Sequence, residues 1–410
     1  MNHYEFPVIR HLDEVAAVVD GVDGFSITRK ADYTVVGYHY NTPEVFPEVL
    51  DSGDLRANHD HFEVENFGAM IRRECRGLIF DLDGRLISRP YHKFFNVNER
   101  DETQQNLLDL TRPHRILEKL DGSMIRPIPI GAGYRLATKA GVTDVAMQAE
   151  VFLAQHPNYD AFIRHEMLHN HTPIFEWCSR KQRIVLDYPE DRLVLTAVRV
   201  NETGEYLSLD WARDFITAND EFHGVEVVQE FPAGIDSMNQ LQAGAQEIEG
   251  AEGWIIRFED GHMVKVKAEW YVLRHKSKDQ LSREKNVIAM LVGDAVDDVK
   301  ALLIDEDRHR LDRFSEVFWH GLNAYAVDLS HRIEALKAQA GGDRKTFAVE
   351  YAKQLSQAEQ GIAFGTFGEK AVDKQVLDVI IKNTSTQTRL EEVRYMWGGH
   401  RWEYNFDSDA

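Results

Sequence analysis

The octapeptide Glu118-Lys119-Leu120-Asp121-Gly122-Ser123-Met124-Ile125, EKLDGSMI, sets one lysine between a strand-like run and an Asp-Gly turn. As a solvated surface charge, Lys119 carries no information about the rest of the chain. As an amine fixed at a strand end, it requires an anionic ligand and further polar groups to receive it. Short K-x-D-G strings arise by chance, and most lysines are solvated. The flanking sequence therefore has to decide.

A chain of 410 residues exceeds what one hydrophobic core usually organises, so two domains are expected. With 43% hydrophobic and 28% charged residues and 11 prolines, the composition is that of a globular protein without low-complexity segments. The opening MNHYEFPVIRHLDEV carries acidic residues and no apolar core, unlike a signal peptide. No apolar run reaches the ~18 residues of a membrane span. Cys75 and Cys178 lie far apart without C-x-x-C spacing, which points away from structural zinc and toward a reducing, cytoplasmic setting. The 47 Lys and Arg against 68 Asp and Glu give a net charge of −21. That balance opposes tight non-specific phosphate binding, although a local basic cleft is compatible with an acidic exterior.

Between about residues 24 and 270 strand patterns dominate. FSITRK (25–30) and YTVVGYHY (33–40) read as a hairpin. CRGLIFD (75–81) and RLISRP (85–90) read as another, turning on Asp83-Gly84 as type I′. Further strands are expected at RILEKL, SMIRPIP, YRLATKA, PIFEWCS, RIVLDY, RLVLTAVRV, GWIIRFE and HMVKVKA, with helices near 145–156 and 160–169. This spacing predicts an antiparallel α+β domain over 1–271. Beyond Tyr271, segments 284–305, 307–338, 343–358 and 369–382 carry helical periodicity. Gly341-Gly342 separates two of them, and Asp343 is placed to cap the next. Residues 272–410 are therefore expected to form a separate all-helical domain.

Two other strings compete for the chemistry. LIFDLDG (78–84) has the D-x-D-G of haloacid-dehalogenase-type phosphatases, but that site needs a following helix in a parallel sheet. A β-hairpin explains Asp83-Gly84 without chemistry. His165-Glu166-Met167-Leu168-His169 is a literal H-E-x-x-H, which on a helix places two imidazoles on one face for zinc with the glutamate as base. A third ligand is missing: Glu176 lies in an apparent strand, and His171 serves only by leaving the helix. The bland reading is a polar helix end whose histidine suits the C-terminal dipole.

Lys119 has more company. Upstream stand Arg76-Gly77 and HKFFN (92–96); downstream stand TKAG (138–141), Glu176 in IFEWCSRKQRIVL, Glu252-Gly253-Trp254, and Lys265 and Lys267 in VKVK. Strand side chains alternate, so K-x-K puts both amines on one face, where an anionic ligand offsets their repulsion. In this order the set resembles the covalent nucleotidyltransferases: DNA and RNA ligases and mRNA capping enzymes. Within them it resembles the RNA ligase 1 family of T-even-type bacteriophages. The likeness runs over roughly 30–360, through CRGLIFDLDG, SRPYHKFFNVNE, KLDGSMI, TKAG, FEWCSRKQRIVL, EGWIIRFEDG, VKVKAEWY and GDRKTFA (342–348). The N-terminal stretch and the last ~50 residues depart from it.

The resemblance implies an antiparallel-sheet nucleotidyltransferase domain of ATP-grasp-like ligase type, followed by an all-α C-terminal domain that selects RNA. It implies that Lys119 attacks ATP to form a lysyl-AMP intermediate, and that AMP then passes to an RNA 5′-phosphate before a 3′-hydroxyl displaces it. Arg76, Lys93, Lys265 and Lys267 are then phosphate binders, Lys139 a further lysine of the nucleotide site with its role left open, Glu118 and Glu176 nucleotide contacts, and Glu252 the holder of Mg2+, with Mn2+ as alternative. Asp121, Gly122 and Gly253 shape the site, while Phe95, Trp177 and Trp254 are stacking walls or core. A broken tRNA anticodon loop is the implied substrate, the cytoplasm of a phage-infected cell the setting, and a monomer the expected state. The alternatives are a capping-type transferase using GTP and, from the H-E-x-x-H string, a zinc hydrolase.

Overall fold

The computed structural model describes residues 5–50, 61–182, 184–231, 238–293, 295–300, 303 and 305–404. The chain divides into two compact units, Met1–Val272 and Leu273–Asp409. The first unit contains, in order, α1 (Leu12–Val19), β1 (Phe25–Arg29), β2 (Thr34–Tyr38), α2 (Phe62–Glu74), β3 (Leu78–Phe80), β4 (Leu86–Ser88), β5 (Phe95–Asn96), β6 (His114–Glu118), β7 (Ser123–Ile130) and β8 (Gly133–Ala137). It continues with α3 (Asp144–Leu153), α4 (Pro157–Leu168), β9 (His171–Cys178), β10 (Arg192–Val200), α5 (Leu209–Ala218), β11 (Glu230–Phe231), α6 (Met238–Glu247), β12 (Gly253–Phe258) and β13 (Met263–Lys267).

These strands form three sheets, ordered β1-β2-β3-β4, β10-β9-β7-β8 and β11-β6-β12-β13-β5. Strand pairing is antiparallel except where β13 meets β5. Each sheet buries one face under helices, because alternating apolar side chains need a cover. Ile71 of α2 and Val15 of α1 pack on Val36, Leu78 and Phe80. Phe162, Ile163 and Ala149 of α4 and α3 pack on Ile125, Leu136 and Phe175. Leu241 and Ala245 of α6 pack on Trp254, Ile256 and Val264. Full burial stabilises each of the larger side chains by about 1.5–3 kcal/mol.

The β3–β4 hairpin forms, but its turn is not type I′. Only Gly84 has a left-handed φ (+85°), whereas type I′ requires one at Asp83 too. The Asp81 carboxylate accepts from the Asp83 and Arg85 N–H groups at 2.9 and 2.8 Å, so a three-residue loop ends on a left-handed glycine. The expected strand RIVLDY is absent: Ile184, Val185 and Leu186 lie in an irregular segment, Arg183 falling outside the described residues. Helices α1, α2, α5 and α6 add to the two read from sequence.

The second unit contains helices alone among its described residues: α7 (Glu269–Leu281, begun in the first unit), α8 (Glu284–Val292), α9 (Val296–Lys300), α10 (Asp305–Gln339), a one-turn α11 (Arg344–Thr346), α12 (Gln357–Thr366), α13 (Val372–Asn383) and α14 (Gln387–Val393). The segment 284–305 is two short helices rather than one, with 294, 301–302 and 304 outside the described residues. Gly341 and Gly342 end α10 at φ +63° and +76°, and Asp343 accepts from the Thr346 N–H at 2.7 Å. A buried carboxylate closes this unit. Glu284 accepts from Arg394 Nη1 and Nη2 at 2.5 and 2.6 Å and from the Trp402 N–H at 2.8 Å. Breaking a buried pair strands the remaining charge, at a cost of about 3–5 kcal/mol. Glu284→Ala should therefore lower the calorimetric melting transition of the helical unit by several degrees; an unchanged transition would show that the pair contributes nothing.

Candidate active site

Lys119-Leu120-Asp121-Gly122 is the link between two sheets. β6 ends at Glu118 in one, and β7 begins at Ser123 in the other. The link is tied down on both sides. The Lys119 N–H donates to the Gly253 carbonyl at 3.0 Å, and the Glu118 N–H to the Gln229 carbonyl at 2.9 Å. Asp121 is buried and fully engaged. Its Oδ2 accepts from the Val185 and Leu186 N–H groups at 2.7 and 2.6 Å, its Oδ1 accepts from the Tyr271 hydroxyl at 2.7 Å, and its own N–H donates to the Tyr188 hydroxyl at 3.0 Å. These bonds explain the missing strand, since two N–H groups of RIVLDY serve this carboxylate instead of a ladder.

Two glycines permit the close approach. A Cβ on Gly122 would lie 2.3 Å from the Trp177 carbonyl oxygen. One on Gly253, whose φ is +135°, would lie 2.1 Å from the Val266 carbonyl oxygen. Both substitutions force backbone apart at the site.

Around the link gather the residues expected from sequence. Lys119 Nζ lies 2.5 Å from Glu252 Oε2, and Lys267 Nζ lies 3.3 Å from Glu252 Oε1. Register delivers them: Gly253 pairs with Lys267 and Trp254 with Glu118 across β12. Glu252 is only 5% exposed in its side chain, while Lys267 is a third exposed, so the carboxylate is shielded and the outer lysine is not. Lys265, two residues before Lys267, turns to the Phe94 ring at 4.6 Å. Burial pulls the Lys265 pKa well below the lysine range, and Arg76, Lys93 and Lys119 reinforce the pull. Burial also lowers Lys93 to about 8, against the attraction of Glu99 and with Arg76, Arg100 and Lys139 adding to the fall. Lys139 is lowered by burial and then by Arg76, and it lies over the Tyr38 ring at 4.7 Å. Like charges have been brought together with few acids between them.

Glu176 stands on β9 opposite Met124 of β7. Burial raises its carboxyl to about 7, with Lys119 opposing and Glu252 adding to the rise. Glu118 goes elsewhere. It is half-buried with its carboxyl raised by burial, and its charged neighbours are Arg192 and Glu226 rather than the lysines.

The aromatic candidates are core. Trp177 (1% exposed) packs on Phe152, and Trp254 (8%) on Phe231. Phe95 (2%) sits against Val45 and Phe46 beneath Lys93 and Arg100, each 4.9 Å from its ring centre. Strand alternation turns these three rings inward, so none offers a free face to a base. Sequence reading missed Tyr38, Tyr188 and Tyr271, whose roles depend on non-local contacts with no local signal. It also missed Phe94 as the platform for Lys265, although HKFFN carried it.

The competing strings are structural. Glu166 is fully buried and bonds His165 Nδ1 at 3.0 Å and His171 Nδ1 at 2.9 Å, while His169 Nδ1 bonds the His165 carbonyl at 2.8 Å. A sealed carboxylate cannot activate a water. Among the described residues no group of three or more His, Cys, Asp or Glu side chains is arranged to hold a metal ion. No helix among them is long and apolar enough to cross a membrane.

The raised Glu176 carboxyl gives a pH signature. Its contribution to stability is fully present below the ordinary carboxyl value of ~4.3 and is lost as pH rises through about 7. Glu176→Gln should melt at the same temperature as wild type near pH 4 and at a higher one at pH 8. A difference that is constant with pH would mean that Glu176 titrates normally.

With this geometry in view, two family models match in tandem. The model described as "RNA ligase" matches residues 74–271, and "T4 RNA ligase 1, C-terminal domain" matches residues 278–390. A Thermovibrio ammonificans protein named "Putative RNA ligase" is 26% identical over 84% of this chain and 87% of its own. The "RNA ligase 1" of bacteriophage TS2126 is 23% identical over 85% of this chain and 86% of its own. Among solved structures, an archaeal ATP-dependent RNA ligase is 14% identical with a TM-score of 0.38, covering 58% of this chain and 65%, less than two thirds, of its own length. The matches span the sheet-bearing and the helical unit alike, and the chain belongs to the T4 RNA ligase 1 family of RNA ligases.

Proposed function

We propose that this ATP-dependent RNA ligase joins a 3′-hydroxyl to a 5′-phosphate through a lysyl-AMP intermediate on Lys119. The observation that carries the reading is the Lys119–Glu252–Lys267 triad on the inter-sheet link, with Lys265, Arg76, Lys93 and Lys139 crowded beside it. Lys119 Nζ forms a bond to the α-phosphorus of ATP, and pyrophosphate leaves. The RNA 5′-phosphate then takes the AMP and frees the amine. Finally the 3′-hydroxyl forms the phosphodiester and AMP departs.

An unperturbed lysine has a pKa of ~10.4 and must lose a proton before it attacks. Glu252 Oε2, at 2.5 Å, is the acceptor nearest that proton. Lys265 and Lys267 hold phosphate charge as it shifts from α-phosphorus to leaving group. Glu176, raised to about 7, faces the nucleotide as a carboxyl able to meet ribose hydroxyls in either protonation state. Glu252, beside the Glu176 carboxyl and the substrate phosphates, is the hard-oxygen kind of donor set that suits Mg2+, or Mn2+, and the cation would supply charge neutralisation there.

The helical unit is proposed to select structured RNA, with broken tRNA anticodon loops in the cytoplasm of phage-infected cells as the substrate of a monomeric enzyme. The support is the match of 278–390 to a domain specific to the T4 RNA ligase 1 family.

Two experiments test these readings. Lys119→Ala should yield no acid-labile AMP adduct from labelled ATP, yet still join RNA supplied with AMP on its 5′ end; Lys267→Ala should slow both reactions by about tenfold or more. An adduct formed by Lys119→Ala at ordinary rates would overturn the assignment. For the RNA, a tRNA nicked in its anticodon loop should be sealed with a kcat/KM about tenfold above that of a linear strand bearing the same ends. Equal values would remove the tRNA reading and leave the chemistry standing.

A further inference from the structure

Arg126 lies on β7, seven residues beyond Lys119, with its side chain fully buried. Among the described residues no carboxylate pairs with it, unlike buried Arg89 and Arg199, which share Glu74. Burial disfavours its charge, and nearby Arg76 adds to that penalty. A buried cation without an acid is expensive and persists only where its hydrogen bonds matter.

Those bonds go to two carbonyls. Nη1 donates to Thr138 O at 2.8 Å and Nη2 donates to Gly77 O, while Nε has no partner. Gly77 directly follows Arg76, and Thr138 directly precedes Lys139. The two backbones also touch each other. Gly77 has φ +99°, and a Cβ there would lie 2.4 Å from the Lys139 carbonyl oxygen. Lys139 rides on a tight turn in which Thr138 and Gly141 exchange N–H···O bonds at 2.9 and 3.0 Å. Its amine then reaches the Tyr38 ring, within the electrostatic range of Arg76.

We propose that Arg126 is a positioning residue for phosphate recognition: its guanidinium fork clamps the Arg76 and Lys139 backbones at one separation, so that both cations meet the same anionic group. This rests on the reading of Arg76 as a phosphate binder and of Lys139 as a lysine of the nucleotide site, and assigns Lys139 to the same phosphate. Mutual repulsion would otherwise spread two cations on separate loops, and a fork with two parallel donors fixes distance and orientation together. Misplacement on the ångström scale weakens a bound phosphate out of proportion to the stability lost.

The test is a double-mutant cycle on single-turnover self-adenylylation of the full chain with ATP. Arg76→Ala, Lys139→Ala and Arg126→Met should each raise the ATP concentration for half-maximal rate, by about tenfold for Arg126→Met. The saturated rate should fall less. Combining Arg126→Met with Arg76→Ala and Lys139→Ala should add little beyond the latter pair, because Arg126 acts only through them. Arg126→Lys, which keeps one donor and a cation, should recover part of the ATP affinity, and it provides the same readout below its melting temperature should Arg126→Met fail to fold. If Arg76→Ala and Lys139→Ala leave ATP dependence unchanged, the phosphate reading is what fails. If those two raise it while Arg126 variants do not, or do so additively, the clamp is refuted.

Discussion

The Asp121 carboxylate holds together what the chemistry needs. Two backbone donors and a tyrosine hydroxyl converge on it, and a second tyrosine accepts from its N–H. Without it, the link beyond Lys119 would be held only by the backbone bonds of Glu118 and Lys119 on one side and the Asp121 N–H on the other. With it, the link has one conformation, and the amine is aimed before any ligand arrives. A carboxylate with three donors is well satisfied in a buried setting, whereas losing it would take one hydrogen bond each from the Val185 and Leu186 N–H groups and the Tyr271 hydroxyl. The D of K-x-D-G is thus architectural, and it makes the neighbouring lysine useful.

A chain with net charge −21 nevertheless gathers lysines and an arginine into one pocket. Glu252 offsets Lys119 and Lys267, and aromatic rings make the remaining cations tolerable. Phe94 lies under Lys265, Tyr38 under Lys139, and Phe95 under both Lys93 and Arg100. A ring face attracts a cation without neutralising it, so the cluster keeps its positive charge. Burial first, and the neighbouring cations after it, hold the pKa values of Lys93 and Lys265 below the lysine range.

Much of this was legible in the sequence, for identifiable reasons. Strand patterns located β1 to β4, β6 to β10, β12 and β13 but not the two-residue β5 and β11, and the order of the motifs located the lysines and glutamates that lie together. Non-local bonding was not legible. RIVLDY has the composition of a strand, but its amides answer to a residue more than sixty positions away. Trp254 and Phe95 sit beside site residues in sequence, yet alternation turns their rings into the core. Glu118 adjoins Lys119 and faces Arg192 and Glu226 instead. Asp83-Gly84 signals a hairpin correctly, while the turn type depends on the Asp81 carboxylate.

Glu252, held between Lys119 and Lys267, has a consequence for what may enter the pocket. The resting site contains its own anion, tethered and therefore present at a high effective concentration. A small monovalent ion such as chloride or acetate gains nothing by displacing it, because it replaces one negative charge with another and gives up its freedom to move. A polyphosphate brings several charges on one molecule and can satisfy both lysines at once. On the proposed reading, the fixed carboxylate would act as a valence filter that favours ligands of high charge over common cellular monoanions.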